Sequence, residues 1–251
     1  MHSPETINHI LGHEALAIIQ RPDMFNYSLD SVLLAGFASV TNDTHKVIEF
    51  GSGFAPVPLL LVYHHPHIHV SGLEIQPSVS DIARRNVSLN QMEDSIEIIN
   101  EDINKAFDIY GNQSFDMVVS NPPFFKYDSK SNVSPSVYKS IARHEVSITL
   151  EAIIVQSKKV LKQKGKLVLV HRSKRLGEMM RLLHANQFGI KRMRFVHPRE
   201  TQPSQMVLIE AHKASNDHIH VESPIIVHQG EGYHPRLLDM FASKGGNHAA
   251  N

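Results

Sequence analysis

Short apolar runs alternate with longer amphipathic segments over most of the chain between residues 46 and 185. The apolar runs are rich in Val, Ile, Leu and Phe, and their four to six residues match the length of a buried strand. They lie at residues 47–50, 69–74, 96–100, 115–120 and 166–171. Because helical patterns separate these runs, the sequence predicts an α/β fold built on a doubly wound, mainly parallel sheet.

Helices are predicted between the strands, where apolar residues recur at helical spacing. They lie at residues 31–37, 57–62, 82–89, 149–163 and 173–185, and a loop at 28–30 caps the first of them. Residues 191–197 and 205–211 predict an antiparallel strand pair towards the C-terminus. The prediction is therefore an α/β domain closed by an antiparallel C-terminal strand pair.

The remaining segments lack a clear period. We expect residues 5–20 to form a short helix or an ordered arm. Residues 126–142, rich in Ser, Lys and Asn, predict a mobile loop. The predicted organisation is an N-terminal arm and helix at 1–40, packed on a catalytic domain at 41–251.

Composition narrows the class of protein. Of the 251 residues, 41% are hydrophobic and 20% are charged, which is ordinary for a folded globular chain. Cysteine is absent, which excludes disulfides, thiolate metal sites and cysteine nucleophiles. No apolar run is long enough to span a membrane, and the first twenty residues do not resemble a signal peptide. We therefore expect a cytoplasmic protein, either a monomer or a weak homodimer, with no membrane association.

The charges are distributed unevenly although the formal net charge is zero. Residues 1–150 hold 9 Lys and Arg against 17 Asp and Glu, whereas residues 151–251 hold 16 against 8. A basic half of this density suits contacts with phosphate groups, which suggests a polyanionic partner such as a nucleic acid. The alternative is that these side chains cap helices or coat exposed faces.

A glycine turn joins the first predicted strand to a helix. It contains Glu49, Gly51, Ser52, Gly53 and Ala55. Glycine has no Cβ and accepts positive φ, so such a turn lets a ligand approach the backbone closely. The turn is typical of nucleotide or nucleoside sites, but many other α/β proteins also contain it.

Two further acids follow the next two strands, and their spacing strengthens the ligand interpretation. Glu74 ends the second strand, where a carboxylate can accept both ribose hydroxyls of an adenosine moiety. Asp102 follows the third strand and can accept from an adenine amino group, with Ile75 and Ile103 as apolar walls. Each acid taken singly could instead be a helix N-cap. A dinucleotide is disfavoured because Ala55 replaces the third glycine and Pro56 and Pro58 remove backbone donors.

The segment Asn121-Pro122-Pro123-Phe124 directly follows the fourth strand and is the most specific motif of the chain. An exocyclic amine is a poor nucleophile because its lone pair is delocalised into the ring. If the Asn121 side-chain oxygen and the Pro122 carbonyl each accept one N–H, the lone pair is directed at a methyl donor. The prolines hold both acceptors in place, and Phe124 offers a face for a flipped base. The alternative is a proline-stiffened turn with Phe124 and Phe125 in the core.

Taken together, these motifs resemble class I methyltransferases, and more narrowly the bacterial tRNA1(Val) (adenine-37 N6)-methyltransferase family. The resemblance covers most of the chain and also includes residues 25–34, 142–145, 169–172 and 196–199. It implies a Rossmann-like fold and N6-methylation of the adenine 3′ of the anticodon in a valine tRNA. The chain departs from the family pattern at Phe54 and Ala55, where Asn and Gly are more common.

The resemblance also assigns roles to individual residues. S-adenosyl-L-methionine would be bound by Glu49, Gly51, Ser52, Gly53, Glu74, Ile75, Asp102, Ile103 and Asn121. Asn121, Pro122, Pro123 and Phe124 would hold the adenine. Candidate contacts with the substrate RNA are Phe124, Phe125, Arg143, Arg172, Lys174, Arg175 and Arg199.

Other functions remain open on the sequence alone. A protein methyltransferase acting on a glutamine amide uses a similar turn, although it generally favours Tyr at the position of Phe124. A ribosomal RNA N-methyltransferase, a non-catalytic RNA-binding protein and a nicotinamide oxidoreductase are further alternatives. The histidine-rich segment 64–69 resembles a metal tract, but no acid lies within it, so we expect no metal.

Overall fold

The computed structural model of the chain describes residues 4–24, 28–122 and 148–242. Its strands are β1 Thr6–Ile10, β2 His13–Gln20, β3 Lys46–Phe50, β4 His69–Leu73, β5 Ile96–Ile99, β6 Phe115–Ser120, β7 Leu161–Arg172, β8 Phe188–His197, β9 Met206–Lys213, β10 His220–Ile226, β11 His228–Gln229 and β12 Gly232–Tyr233. Its α-helices are α1 Leu29–Phe37, α2 Pro56–His64, α3 Pro77–Leu89, α4 Ala106–Tyr110, α5 Leu150–Val160, α6 Leu176–Ala185 and α7 Pro235–Ala242. The five predicted strands and the helices between them are confirmed.

Within the described residues, eight strands form one sheet in the order β10-β8-β9-β7-β6-β3-β4-β5. All of its neighbouring pairs are parallel except the two that β9 makes, with β7 and with β8. The chain moves from β3 outward to β5 and then returns to place β6 on the other side of β3. The order therefore reverses between β3 and β6, where ligands bind in open α/β sheets.

Both faces of this sheet are covered, which explains why its central strands are apolar throughout. Val47 faces a core shared with α1, α2 and α3, whereas its neighbour Ile48 faces a core shared with α5 and α6. Alternate residues of a strand point to opposite faces, so a run such as 47–50 must be apolar at every position that meets a helix. Glu49 is the exception in that run, since it is an acid and is nevertheless buried.

The N-terminal segment differs from the predicted helix. Residues 5–20 contain the antiparallel hairpin of β1 and β2, which turns at Gly12 with a φ of +77°. The helical alternative was wrong because tertiary hydrogen bonds hold β2 against α3. The side-chain oxygen of Asn86 accepts from the Ile19 backbone N–H at 2.6 Å, and that of Asn90 accepts from Ala17 at 3.0 Å.

The C-terminal part confirms the antiparallel pair and extends it. Strands β8 and β9 pair along most of their lengths, but β9 is inserted between β7 and β8 within the main sheet. An edge strand that the sequence did not predict, β10, adds to β8 in parallel. The predicted helix at 149–163 spans Leu150–Val160, because the chain is already extended at Leu161. Among the described helices, none is long and apolar enough to cross a membrane.

Candidate active site

The glycine turn after β3 has the geometry of a ligand-binding loop. The backbone N–H groups of Gly51 and Ser52 both donate to the Leu73 carbonyl, at 2.9 and 3.0 Å, which joins the turn to the end of β4. Gly51 and Gly53 have positive φ angles of 78° and 54°, and Ala55 shares this region with a φ of 65°. An alanine in this left-handed region costs about 1 kcal/mol. The turn therefore has the conformation of a glycine-rich loop even at Ala55, which is not a glycine.

Glu74 ties this turn to the start of α3. One of its carboxylate oxygens accepts from the Gly53 backbone N–H at 3.0 Å, and the other accepts from the Gln76 backbone N–H at 2.9 Å. Burial raises the pKa of the Glu74 carboxyl, although both hydrogen bonds oppose this shift. Each oxygen retains a second lone pair for a ligand hydroxyl. Glu74 therefore holds the turn against the start of α3.

Glu49 and Ser52 are buried polar residues of the strand β3 and of the turn that follows it. In the described structure, Glu49 Oε2 and Ser52 Oγ are buried without a hydrogen-bond partner. Burial raises the pKa of the Glu49 carboxyl well above its usual range, and the negative charge of Glu74 raises it further. Buried polar atoms are rarely left unsatisfied, and two adjacent acids favour a cation between them. The turn is therefore suited to a ligand that carries a positive charge and hydrogen-bond donors.

Asp102 and Ile103 lie after β5, at the far end of the same edge of the sheet. The Asp102 carboxylate accepts from the backbone N–H of Asn104 at 2.9 Å and from its side-chain amide at 3.0 Å. It therefore caps the short 3₁₀ helix Ile103–Lys105, as the N-cap alternative predicted. Ile103 is buried in the core. Ile75, which follows Glu74, is half-buried. The two residues predicted as apolar walls therefore differ in their exposure to solvent.

Asn121 and Pro122 lie at the switch point, directly beside the glycine turn. The Ser120 hydroxyl donates to the Phe50 carbonyl at 2.7 Å, which fixes the end of β6 against the end of β3. The side-chain amide of Asn121 donates to the Ser31 hydroxyl of α1 at 3.4 Å. Pro122 is buried. Pro123, Phe124, Phe125 and Arg143 lie outside the described residues.

The sequence of this chain matches a family model that covers the same elements. The model of the methyltransferase small domain matches residues 16–191, from β2 to β8. The chain belongs to the methyltransferase small domain family.

Individual relatives of this methyltransferase agree with the family model. A protein of Porphyromonas gingivalis named tRNA1(Val) (adenine(37)-N6)-methyltransferase is 29% identical over 223 residues, which cover 84% of this chain and 86% of that protein. A protein of the same name from Bacteroides thetaiotaomicron is 34% identical over 143 residues, covering 56% and 57%. A predicted O-methyltransferase from Agrobacterium tumefaciens has the same fold, with a TM-score of 0.68 and 20% identity over 87% of this chain and all of that chain.

The structure adds three residues that sequence reasoning did not select in this methyltransferase. Gly72 of β4 lies under the turn, where an added Cβ would come within 2.9 Å of Ser52 Cβ and 2.7 Å of Ile98 Cδ1. Asn86 of α3 donates to the Phe54 carbonyl at 3.0 Å and so holds the turn from below. Ser31 contacts Asn121. Of these three residues, only Gly72 had a local signal in the sequence, as an isolated glycine within the strand run 69–74.

The candidate RNA-contact residues that the structure describes differ in their exposure and in their interaction partners. Arg172 ends β7, the strand next to Asn121, and its positive charge acts on the half-buried Asp30 of α1. Lys174 and Arg199 are exposed, and Arg199 donates to the Gly230 carbonyl at 2.7 Å. Arg175 donates to both carboxylate oxygens of Glu178 and to His171 Nε2.

Part of the basic C-terminal half is paired internally. Arg192 forms ion pairs with Glu210 at 3.0 Å and Glu222 at 2.7 Å, and its guanidinium lies 4.4 Å from the centre of the Phe37 ring. Lys166 donates to the Ser39 carbonyl at 2.5 Å. These cations stabilise the junction between α1 and the sheet, so the charge excess of this half is not all available to a polyanion.

The histidine-rich segment does not form a metal centre in the described part of the chain, where no three potential ligands come together. His64 instead contacts the N-terminal hairpin, with its Nε2 atom 2.8 Å from that of His13. Burial and, to a smaller extent, the neighbouring His13 together lower the pKa of His64 to about 4. The contact between these two rings therefore links the hairpin to the end of α2.

Proposed function

We propose that this methyltransferase uses S-adenosyl-L-methionine to methylate the N6 amine of an adenine in tRNA, at the position 3′ of the anticodon in a valine tRNA. The observation that carries the proposal is the place of Asn121 and Pro122. They follow β6, which pairs with β3, and the glycine turn follows β3 on the same edge of the sheet. An amine held by Asn121 is therefore next to a methyl donor held by the turn.

The residues of the turn fit this cofactor. The unpartnered Glu49 Oε2 and Ser52 Oγ would accept from the ammonium group of its methionine end. Glu74 would accept from the ribose hydroxyls with the lone pairs that its backbone bonds leave over. The acids Glu49 and Glu74 suit a cofactor that carries two positive charges, and Asp102 with Ile75 and Ile103 would contact the adenine ring. When bound, the cofactor supplies an electrophilic methyl group on a sulfonium.

The protein acts on the amine by orientation and requires neither a metal nor a strong base. Asn121 Oδ1 and the Pro122 carbonyl would each accept one N–H of the amine, which directs the nitrogen lone pair at the methyl group. The N–C bond would form as the sulfur–methyl bond breaks, S-adenosylhomocysteine would leave, and the methylated nitrogen would release one N–H proton to solvent. The hydrogen bond from the Asn121 amide nitrogen to Ser31 keeps that nitrogen away from the substrate and turns the oxygen towards it. Because both acceptors are oriented before the reaction, little ordering remains at the transition state. Phe124 stacks the extruded base.

Relatives and charge support RNA as the substrate. The Porphyromonas protein and the Bacteroides protein are both named for adenine 37 of a valine tRNA. Arg172 ends β7, Lys174 follows it and Arg199 follows β8. The carboxyl ends of both strands lie on the same edge as Asn121. A tRNA that places its anticodon loop over this edge would bring phosphates within reach of these side chains. Since tRNA is the proposed substrate, we place the activity in the cytoplasm.

The proposal is tested by transfer of labelled methyl groups from S-adenosylmethionine to separate acceptors. The acceptors are bulk tRNA, bulk ribosomal RNA, DNA and a release-factor-like protein that carries a glutamine target. We expect label in tRNA alone. Label found only in protein would contradict the proposal and favour the glutamine alternative.

Asn121→Ala supplies the matched control for that experiment. It removes the acceptor for the amine but leaves Glu49, Ser52 and Glu74 in place. We expect transfer to disappear while the dissociation constant of S-adenosylmethionine stays nearly unchanged. A large loss of cofactor affinity would mean that Asn121 serves the cofactor instead of the substrate.

A further inference from the structure

A stacked aromatic pair, the half-buried His228 and the exposed Tyr233, lies beyond the end of β10. The rings of His228 and Tyr233 stack with their centroids 5.3 Å apart and their planes inclined by 16°. The two residues are cross-strand partners in the hairpin of β11 and β12. Tyr233 is 39% exposed, although His228 covers one of its faces. Tyr233 is therefore a solvent-exposed aromatic residue that His228 supports by stacking.

This hairpin is fixed to the segment that follows β8. The His228 backbone N–H donates to the Pro198 carbonyl at 2.9 Å, and Arg199 Nη1 donates to the Gly230 carbonyl at 2.7 Å. Arginine has five N–H donors in a planar fork, so the exposed guanidinium of Arg199 keeps donors for a ligand. We define Arg199, His228 and Tyr233 as the hairpin platform. It combines an aromatic surface and a cation on a fixed backbone.

The hairpin platform lies on the same edge of the sheet as Asn121. Strands β6, β7, β8 and β10 all run in one direction, so their carboxyl ends share this edge. Four strand spacings separate β6 from β10 in the sheet order, which amounts to about 19 Å. That distance corresponds to roughly five or six base steps of a stacked strand. Arg172 lies between them, at the end of β7.

The balanced charges and the aromatic surface of the hairpin platform indicate which kind of partner it would bind. The nearby charged residues Arg199, Glu200, Glu231 and Arg236 are all exposed and balance one another. General attraction of a polyanion to this patch is therefore weak. Stacking on an aromatic face does not depend on net charge, and every unpaired base offers a π-face for it.

We propose that the hairpin platform is a second RNA contact, which stacks an unpaired base of the substrate several nucleotides from the target adenine. This inference rests on the proposed function, because it takes the substrate to be RNA. Arg199 adds one phosphate contact beside the stacked base. The contact binds substrate and transition state alike, since it lies far from the reacting atoms, and therefore acts on substrate affinity.

The test uses Tyr233→Ala in the full chain with unmodified valine tRNA. We expect roughly tenfold weaker RNA binding, the order of loss when a base-stacking ring is removed, and a similar rise in KM for tRNA. We expect kcat and the affinity for S-adenosylmethionine to stay unchanged. Tyr233→Phe keeps the ring and should bind RNA as the wild type does. Phe107→Ala removes another exposed aromatic ring, on α4, and should have no effect on RNA binding.

A second variant guards against a folding defect. Arg199→Ala should weaken RNA binding and reduce the slope of log affinity against log salt by about one. Lys46→Ala, an equal charge change at the opposite edge of the sheet, should leave that slope unchanged. Lys46→Ala should keep the wild-type unfolding midpoint, and Arg199→Ala, which also removes the exposed bond to the Gly230 carbonyl, should lower the midpoint only slightly.

The outcomes separate this inference from the proposed function. If the wild type transfers no methyl group to any RNA, the proposed function fails. If it methylates tRNA but Tyr233→Ala and Arg199→Ala bind tRNA as tightly as the wild type, the hairpin platform is not an RNA contact. A change in sedimentation mass of Tyr233→Ala without a change in RNA affinity would instead identify a self-association surface and overturn the inference.

Discussion

The side-chain amide of Asn121 donates to the hydroxyl of Ser31 across 3.4 Å, joining residues that are 90 positions apart in the chain. Ser31 is buried in the first turns of α1, so its position is fixed by the core. An amide whose nitrogen is held in this way presents its oxygen in one orientation. If Asn121 holds the substrate amine as proposed, helix α1 takes part in orienting that amine through Ser31.

Ser31→Ala should lower the rate of transfer without affecting cofactor binding. A neutral hydrogen bond is worth about 1 kcal/mol, which corresponds to roughly a fivefold loss of kcat. The measurement is steady-state transfer to tRNA together with calorimetric binding of S-adenosylmethionine. Ser31→Thr keeps a hydroxyl and should recover part of the rate. An unchanged kcat in Ser31→Ala would show that Asn121 is oriented by other contacts.

Glu49→Gln should stabilise the protein without cofactor and weaken its affinity for S-adenosylmethionine. Because burial and Glu74 raise the pKa of Glu49, the folded chain binds this proton more tightly than the unfolded chain does. Ionising this carboxyl therefore costs stability, and the cost shrinks as the pH falls below the raised pKa and disappears at the lower pKa of the unfolded chain. We expect Tm to rise by about 2–4 °C at neutral pH, the shift that ~1 kcal/mol produces in a chain of this size.

Thermal unfolding at several pH values, with and without cofactor, checks this prediction. The gain in Tm of Glu49→Gln should shrink as the pH is lowered, and the stabilisation that added cofactor gives should be smaller than in the wild type. A variant that is less stable without cofactor, yet binds it normally, would contradict the role given to Glu49.

Asn86 and Asn90 offer a matched pair for the turn. Both side chains bond the backbone of β2, but only Asn86 also donates to the Phe54 carbonyl. Alanine at either position should lower the unfolding free energy by about 1–3 kcal/mol, because buried backbone groups lose their partners. Only Asn86→Ala should also weaken cofactor binding, measured below the lower of the two unfolding midpoints. Equal cofactor affinities in the two variants would remove Asn86 from the support of the turn.

His171 should make the stability of the fold depend on pH. Burial lowers its pKa to about 4, with Arg175 contributing, so the folded state favours the neutral ring. Stability from this group is complete above pH 6.5 and is lost as the pH falls towards 4. Between pH 7.5 and pH 5 the loss amounts to about 2 kcal/mol. His171→Gln keeps an acceptor for Arg175 but does not titrate. Its unfolding free energy, measured with urea at the two pH values, should therefore fall by about 2 kcal/mol less than that of the wild type. Identical losses would refute this assignment.

The strands and the acids could be predicted because they depend on local patterns. The run 47–50 is apolar at the positions that meet helices, and the chain order alone brings Gly51, Glu74 and Asn121 to one edge of a parallel sheet. Pro56 and Pro58 fit the first turn of α2, where their missing N–H groups have no intrahelical acceptor.

The rest of the site depends on contacts between distant residues. The hairpin of β1 and β2 could not be distinguished from a helix, because the side chains of Asn86 and Asn90 hold it in place. Gly72 looks like an ordinary strand glycine until Ser52 is placed against it. Strand β10 contains Pro224 and pairs on one edge only, so its own sequence gives a weak strand signal.

The most direct test of the central claim is the identity and position of the methylated nucleoside. Unmodified valine tRNA is incubated with the protein and S-adenosylmethionine, digested, and read by mass spectrometry of nucleosides and of fragments. The account predicts N6-methyladenosine at the adenine 3′ of the anticodon, and none with Asn121→Ala. A methyl group on a ring nitrogen of the base, or on a nucleotide outside the anticodon loop, would contradict it.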